Sequence, residues 1–178
     1  MTGRVLSKTK QFTSWHVGVA AEAVAAAMFA RCGYDVSVQY GANQPEYDLL
    51  VAKDERLLKV SVKGSQDGSW GLCQSYLKPK SAAYHDAIDR WLKRHKARTI
   101  LCFVQFLGVA VTEMPRVYLA TPEEVARRLH ETAKGRGDTI LYERHSWGVR
   151  ARGAGTVEEI PRTWWFSQER IEQLLGAA

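Results

Sequence analysis

Between His16 and Arg31 the sequence carries a single formal charge, Glu22, in a segment dominated by alanine. At helical spacing its same-face neighbours are Gly18, Ala25, Ala26 and Phe29. A carboxylate in so apolar a setting is costly unless a cation or a metal ion lies opposite it. The alternatives are an exposed alanine face or a structural ion pair. A second acid, Asp48, and a lysine, Lys63, follow on what reads as a β-hairpin, with 47–52 and 57–63 flanking the polar tetrapeptide 53–56. A four-residue loop pairs residue 52 with 57, 50 with 59 and 48 with 61, so that Asp48 lies across from Ser61. Side-chain alternation puts Lys59, Ser61 and Lys63 on one face and Leu58, Val60 and Val62 on the other. Lys63 is then diagonal to Asp48, at about 7–8 Å between backbones, within reach of a long side chain. An acid and a lysine converge on one sheet face.

The elements that must position them follow from pattern. Residues 14–32 read as a helix, with Ser14 as cap and Gly33 as stop. Residues 34–40 alternate like a strand, GANQP at 41–45 is a turn-rich break, and the hairpin comes next. The stretch 64–79, rich in Gly and Ser, reads as a connecting or functional loop. Residues 81–96 have a helical period with Tyr84, Ile88, Trp91 and Leu92 on one side. The continuous apolar run 99–107 predicts a buried central strand. Strands over 116–120 and 139–143 flank a helix over 121–131, which Thr121, Pro122 and Glu124 start as a capping box. Residues 150–156 read as a basic, glycine-containing turn, and a last helix runs from Ser167 to about Leu175. The first three strands arrive without crossover helices and the fourth needs one, which predicts an α/β sandwich with a mixed sheet.

At 178 residues the chain fits one domain. Hydrophobic residues at 46% and charged residues at 25% are ordinary globular usage and argue against disorder or a fibrous repeat. No apolar run suits a signal peptide or a membrane span, so a cytoplasmic location without membrane partners is expected. Cys32, Cys73 and Cys102 fit neither a disulfide framework nor a zinc pattern and read as core thiols in a reducing compartment. The net charge of +6 is unevenly placed. Arg4, Lys8 and Lys10 lead the chain without an acid, and Arg144, Arg150 and Arg152 cluster late. In between, Lys78, Lys80, Arg90, Lys93, Arg94, Lys96 and Arg98 face only Asp86 and Asp89. Such clusters can draw in a polyanion, or simply solvate a face. The five histidines show no metal spacing and read as surface or structurally satisfied, with His85 and His95 placed to touch phosphate from the basic helix. The six tryptophans, Trp70 among them, can stack on unpaired bases, with core packing the reading for most, Trp91, Trp164 and Trp165 above all.

Glu22 on the first helix, then Tyr47-Asp48-Leu49-Leu50, then Val60-Ser61-Val62-Lys63, resembles the PD-(D/E)XK nuclease superfamily, the restriction-endonuclease-like fold. The style is that of its Holliday-junction-resolvase-like and DNA-repair branches. The resemblance covers 14–106, an αβββαβ core, and makes 107–178 an extension of the same domain. It implies that Glu22, Asp48 and the Val62 carbonyl hold Mg²⁺ or Mn²⁺, and that Lys63 stabilises charge on the phosphate or positions the attacking water. Gly64 and Ser65 resemble the small residues after the family's lysine that let a phosphate backbone approach, with a simple strand-end turn as the competing explanation. The implied partner is DNA, with RNA left open by the sequence, contacted through Lys8, Lys10, Ser65, Lys78, Lys80, Lys93 and Arg94. A homodimer would suit a two-strand cut. One position departs from the pattern: Ser61 stands where the family carries Glu, Asp or Gln, which opens a second expectation, a nuclease-fold DNA-binding module without cutting. A protein-interaction domain, with Glu22 and Lys63 as a structural ion pair, is the third.

Overall fold

The computed structural model describes residues 12–39, 46–77, 83–95 and 98–177. The order is helix α1 (Ser14–Arg31), strands β1 (Asp35–Val38), β2 (Leu49–Lys53), β3 (Arg56–Ser65) and β4 (Ser69–Gly71), then helix α2 (Tyr84–Leu92) and β5 (Thr99–Gln105). There follow β6 (Arg116–Ala120), α3 (Pro122–Gly135), β7 (Ile140–Tyr142), β8 (Arg144–Ser146), β9 (Val157–Glu159) and α4 (Gln168–Ala177). The main sheet is mixed, in the order β1-β2-β3-β5-β6, with β3 and β5 parallel and the other neighbours antiparallel. No helix among the described residues is long and apolar enough to cross a membrane.

Helices cover both faces of this sheet. On one face Ala21, Ala25 and Phe29 of α1 and Ile171 and Leu174 of α4 pack on Val51, Leu58, Val60 and Val104. On the other, Ile88 and Trp91 of α2 and Val125 and Leu129 of α3 pack on Leu101, Phe103 and Tyr118. Strand β5 sends alternate residues into both cores and is buried along its whole length, the reason it reads in sequence as an unbroken apolar run. Cys73 and Cys102 are buried in these cores and Cys32 is half-buried, all three as free thiols. Burial pushes the Cys73 thiol up to about 12, the behaviour of a packing residue rather than a reactive one.

Several local expectations are corrected. The cap of α1 is Thr13, not Ser14: Thr13 has the extended backbone a cap needs, and its side chain and that of His16 close a reciprocal box. The hairpin loop has two residues, Asp54 and Glu55, because Lys53 and Arg56 pair. The register expected for 52 with 57 and 50 with 59 is kept. Asp54 takes the positive φ such a tight turn uses, and both flanking cations meet Glu172 of α4, 3.3 Å from Lys53 and 2.8 Å from Arg56, a partner no local pattern reveals. The stretch after Lys63 is not merely a loop. It contains β4, which pairs with β7 through Trp70↔Leu141, and a 3-10 turn at Gln74–Tyr76. Helix α3 has the expected Thr121–Glu124 box, and its regular path ends at Thr132, where Ala133 and Lys134 turn left-handed. The 41–45 break lies outside the described residues.

Candidate functional site

The site is built at the point where β2 stops accompanying β3. Regular pairing ends at Leu49↔Val60. There the Asp48 N–H donates to the Val60 carbonyl at 2.8 Å, and the Asp48 carboxylate accepts the Val62 N–H at 2.6 Å. The Gln39 N–H donates to the Asp48 carbonyl at 2.8 Å, so the acid is held from both sides. In an extended strand a residue's N–H and C=O point the same way. The Val62 carbonyl therefore faces the same gap as the Asp48 carboxylate.

Helix α1 crosses β3 just beyond Lys63, and Gly64 is what lets it. A Cβ at Gly64 would lie 2.8 Å from both Val17 Cγ1 and the Val17 carbonyl oxygen, and 2.9 Å from Ala21 Cβ. That contact places Glu22, one residue past Ala21, over the end of the strand. Burial raises the Glu22 carboxyl above its ordinary value, the neighbouring Asp48 carboxylate raises it further, and Lys63 draws it back. Two carboxylates and an ammonium thus share one electrostatic neighbourhood. Gly64 therefore serves a helix approach, where the sequence suggested approach of a phosphate backbone.

Below this point lies a cavity of about 770 Å³, lined among others by Glu46, Ser61, Lys63, Tyr76, Arg94 and His95. Ser61 is 4% exposed, so its hydroxyl presents only a small polar surface. The sequence offers His95 as a phosphate contact from a basic helix; the structure seats it in this cavity, beside Lys63. Its Nδ1 lies 3.0 Å from the Trp91 carbonyl, which can only accept, so Nδ1 carries the proton and Nε2 the lone pair. Burial lowers the His95 pKa by disfavouring the charged ring, against the raising effect of that carbonyl. Trp91 stands in the last turn of α2 and His95 three residues beyond the helix end, where its N–H donates to the Leu92 carbonyl at 3.0 Å.

The remaining expected contacts divide. Arg94 is exposed at the cavity rim and donates to the Tyr76 hydroxyl at 3.1 Å, and Lys93 is exposed. Ser65 is buried, and its hydroxyl donates to Asp67 and accepts from Gln105. Lys8, Lys10, Lys78 and Lys80 lie outside the described residues. Trp70 is buried and donates its indole N–H to the Lys63 carbonyl at 2.9 Å; it supports the strand rather than offering a stacking face. Trp91 and Trp164 are core as expected, but Trp165 is 50% exposed.

Reasoning from sequence missed a histidine pair on the α2–α3 interface. His85 Nδ1 and His130 Nδ1 lie 2.6 Å apart, and His130 Nε2 is 3.0 Å from Asp89. Forty-five positions separate the two rings, and nothing local signals their meeting. Among the described residues no three His, Cys, Asp or Glu side chains are placed to hold a metal ion together. Comparison with family models, with curated proteins and with solved structures found no match.

Proposed function

We propose that this chain is a Mg²⁺- or Mn²⁺-dependent endonuclease that hydrolyses DNA phosphodiester bonds, on a restriction-endonuclease-like core spanning 14–106. The observation that carries this reading is the shared neighbourhood of Glu22, Asp48 and Lys63 at the end of the β2–β3 ladder. The succession α1, β1 to β3, then, after the short β4, α2 and β5, supports it. The donor set suits a hard cation: two carboxylates and the Val62 carbonyl offer oxygen only, and Mg²⁺ is commonly held by one or two carboxylates while keeping several waters. Bound there, the ion would supply positive charge against the reacting phosphate and acidify a water. Lys63 would donate to a phosphate oxygen from the cavity side. His95, whose Nε2 meets no hydrogen-bond partner among the described residues, would accept a proton, and Arg94 would hold a neighbouring phosphate.

A second reading, a DNA-binding module that does not cut, draws on Ser61, whose buried hydroxyl replaces the anionic ligand expected opposite Asp48. One experiment separates the two. Purified chain is incubated with duplex, branched and single-stranded DNA and with RNA, in Mg²⁺, Mn²⁺ or chelator, beside Lys63→Ala. Metal-dependent cleavage that disappears in the variant supports the enzyme. Salt-sensitive binding without cleavage supports the module, and no binding at low salt removes both.

A further inference from the structure

The C-terminal elements enclose a second cavity, of about 580 Å³, lined by Arg116, Tyr118, Glu143, Arg144, Arg162 and Trp165 together with Glu159 and Ile160. It shares no residue with the cavity beneath Lys63, and its size is that of a small-molecule site. One wall is an indole. Trp165 follows the 3-10 turn Arg162–Trp164, and while Trp164 is buried in the core, Trp165 stays half exposed. It is not a loose side chain. Trp165 makes an antiparallel bridge with Tyr118, and its ring stands edge-on to the Tyr118 ring at 5.3 Å and 84°. A large aromatic face held rigid and left in water is a surface waiting for a flat partner.

The charges sort into a spent pair and an available set. Arg116 forks onto Glu143 at 2.6 and 2.9 Å, and the Tyr118 hydroxyl donates to the same carboxylate at 2.6 Å. Burial would raise the Glu143 carboxyl, but Arg116 and Tyr118 hold it below the usual carboxylate range. This triad is saturated and forms the fixed floor. Arg144 meets Glu159 at 2.9 Å with both side chains largely in solvent, a contact that water screens and an anion can displace. Arg162 is exposed and has no ion-pair partner among the described residues. Two guanidinium groups therefore remain beside the indole, and a phosphate is the anion that can engage two such forks at once.

We propose that this cavity binds a nucleotide, its base stacked on Trp165 and its phosphate held by Arg162 and Arg144. A free nucleoside phosphate and the phosphorylated end of a strand present the same chemistry. The assignment does not rest on the metal-site reading, since no residue is common to the two.

Calorimetric titration of the full chain tests it, using adenosine and cytidine monophosphates, adenosine, inorganic phosphate, and a short single-stranded oligonucleotide with and without a 5′-phosphate. Saturable binding of a monophosphate, tighter than adenosine or phosphate alone, is expected. Trp165→Leu and Arg162→Ala should each weaken it by about tenfold or more, the scale of one lost base stack, while Lys63→Ala leaves it unchanged. Tighter binding of the phosphorylated oligonucleotide than of the mononucleotide identifies a strand end as the source, and the reverse a free nucleotide. Both substituted residues are exposed, and thermal melting checks that the variants remain folded. The proposal is overturned by no saturable binding of any nucleotide at millimolar concentration, by phosphate binding as well as the monophosphate, or by affinity that ignores Trp165 and Arg162. Loss of binding in Lys63→Ala would move the nucleotide to the other cavity and equally defeat it.

Discussion

The Asp48 carboxylate accepts the Val62 backbone N–H at 2.6 Å, bridging the gap where the β2–β3 ladder has ended. The acid is thereby tied to the residue next to Lys63, and charge and strand geometry can be separated by substitution. Asp48→Asn keeps an acceptor oxygen; Asp48→Ala removes it. The alanine variant should lose about 1.5–3 kcal/mol in urea unfolding, the worth of a hydrogen bond to a charged group, and the asparagine variant less. Both should lose metal-dependent cleavage by roughly a hundredfold or more, the scale of a single electrostatic group acting on a transition state. An asparagine variant that cuts at the parent rate would remove Asp48 from the chemistry.

Ser61 lines the cavity on the same sheet face as Lys63. Ser61→Glu should lower the Mg²⁺ concentration for half-maximal cleavage by about tenfold, because an added carboxylate raises the charge of the oxygen set. The same substitution buries an acid without a partner when no metal is present. Its melting temperature should fall in chelator and recover in Mg²⁺, and equal melting in both would mean the new carboxylate meets no ion.

At Gly64 the space for a side chain is already taken by Val17 and Ala21. Gly64→Ala should cost about 1–3 kcal/mol, the usual range for overpacking, and should lift α1, carrying Glu22 away from Asp48 and Lys63. Adding Val17→Ala should recover only part of the loss, since one of the close contacts is the Val17 carbonyl oxygen. Full recovery in the double variant would show that the helix backbone is not pressed against the strand.

Glu172 joins α4 to the hairpin by accepting from Tyr34 at 2.6 Å, Arg56 at 2.8 Å and Lys53 at 3.3 Å. These bonds, that from Tyr34 first, hold its carboxyl down to about 2 from an ordinary 4.5. A folded value below the unfolded one means stabilisation that is present above about pH 4.5 and is lost as pH falls toward 2. The melting-temperature gap between the parent and Glu172→Gln should therefore be widest near neutral pH and close across that acid window. A gap independent of pH would assign the effect to shape instead of charge.

Local sequence carried most of the element pattern. The Thr121–Glu124 box and the apolar run of β5 each rest on neighbours a few residues apart, and each was readable for that reason. The hairpin register was readable too, because a turn fixes which residues face each other: Leu50 meets Lys59 and Ala52 meets Leu57. Its loop length was not: Asp54 takes a positive φ and two residues close the turn where four were expected. Strand β4 has no local signal, as its partner β7 lies some seventy residues further on.

Of the opening residues, the sequence by itself determined that Ser61 and Lys63 share a face of β3, because strand alternation leaves no other arrangement. It also determined that Glu22 is the lone charge between His16 and Arg31. Only the tertiary structure decided that Glu22 comes near Asp48 and Lys63, from the other side of the sheet, through an approach of α1 that the missing side chain of Gly64 permits. It alone seated His95 beside Lys63, left Trp165 half in water, and brought His85 to His130. The physical reason is common to all of these: alternation and helical period say which way a side chain leaves its own element, whereas what it meets there depends on how elements far apart in the chain pack.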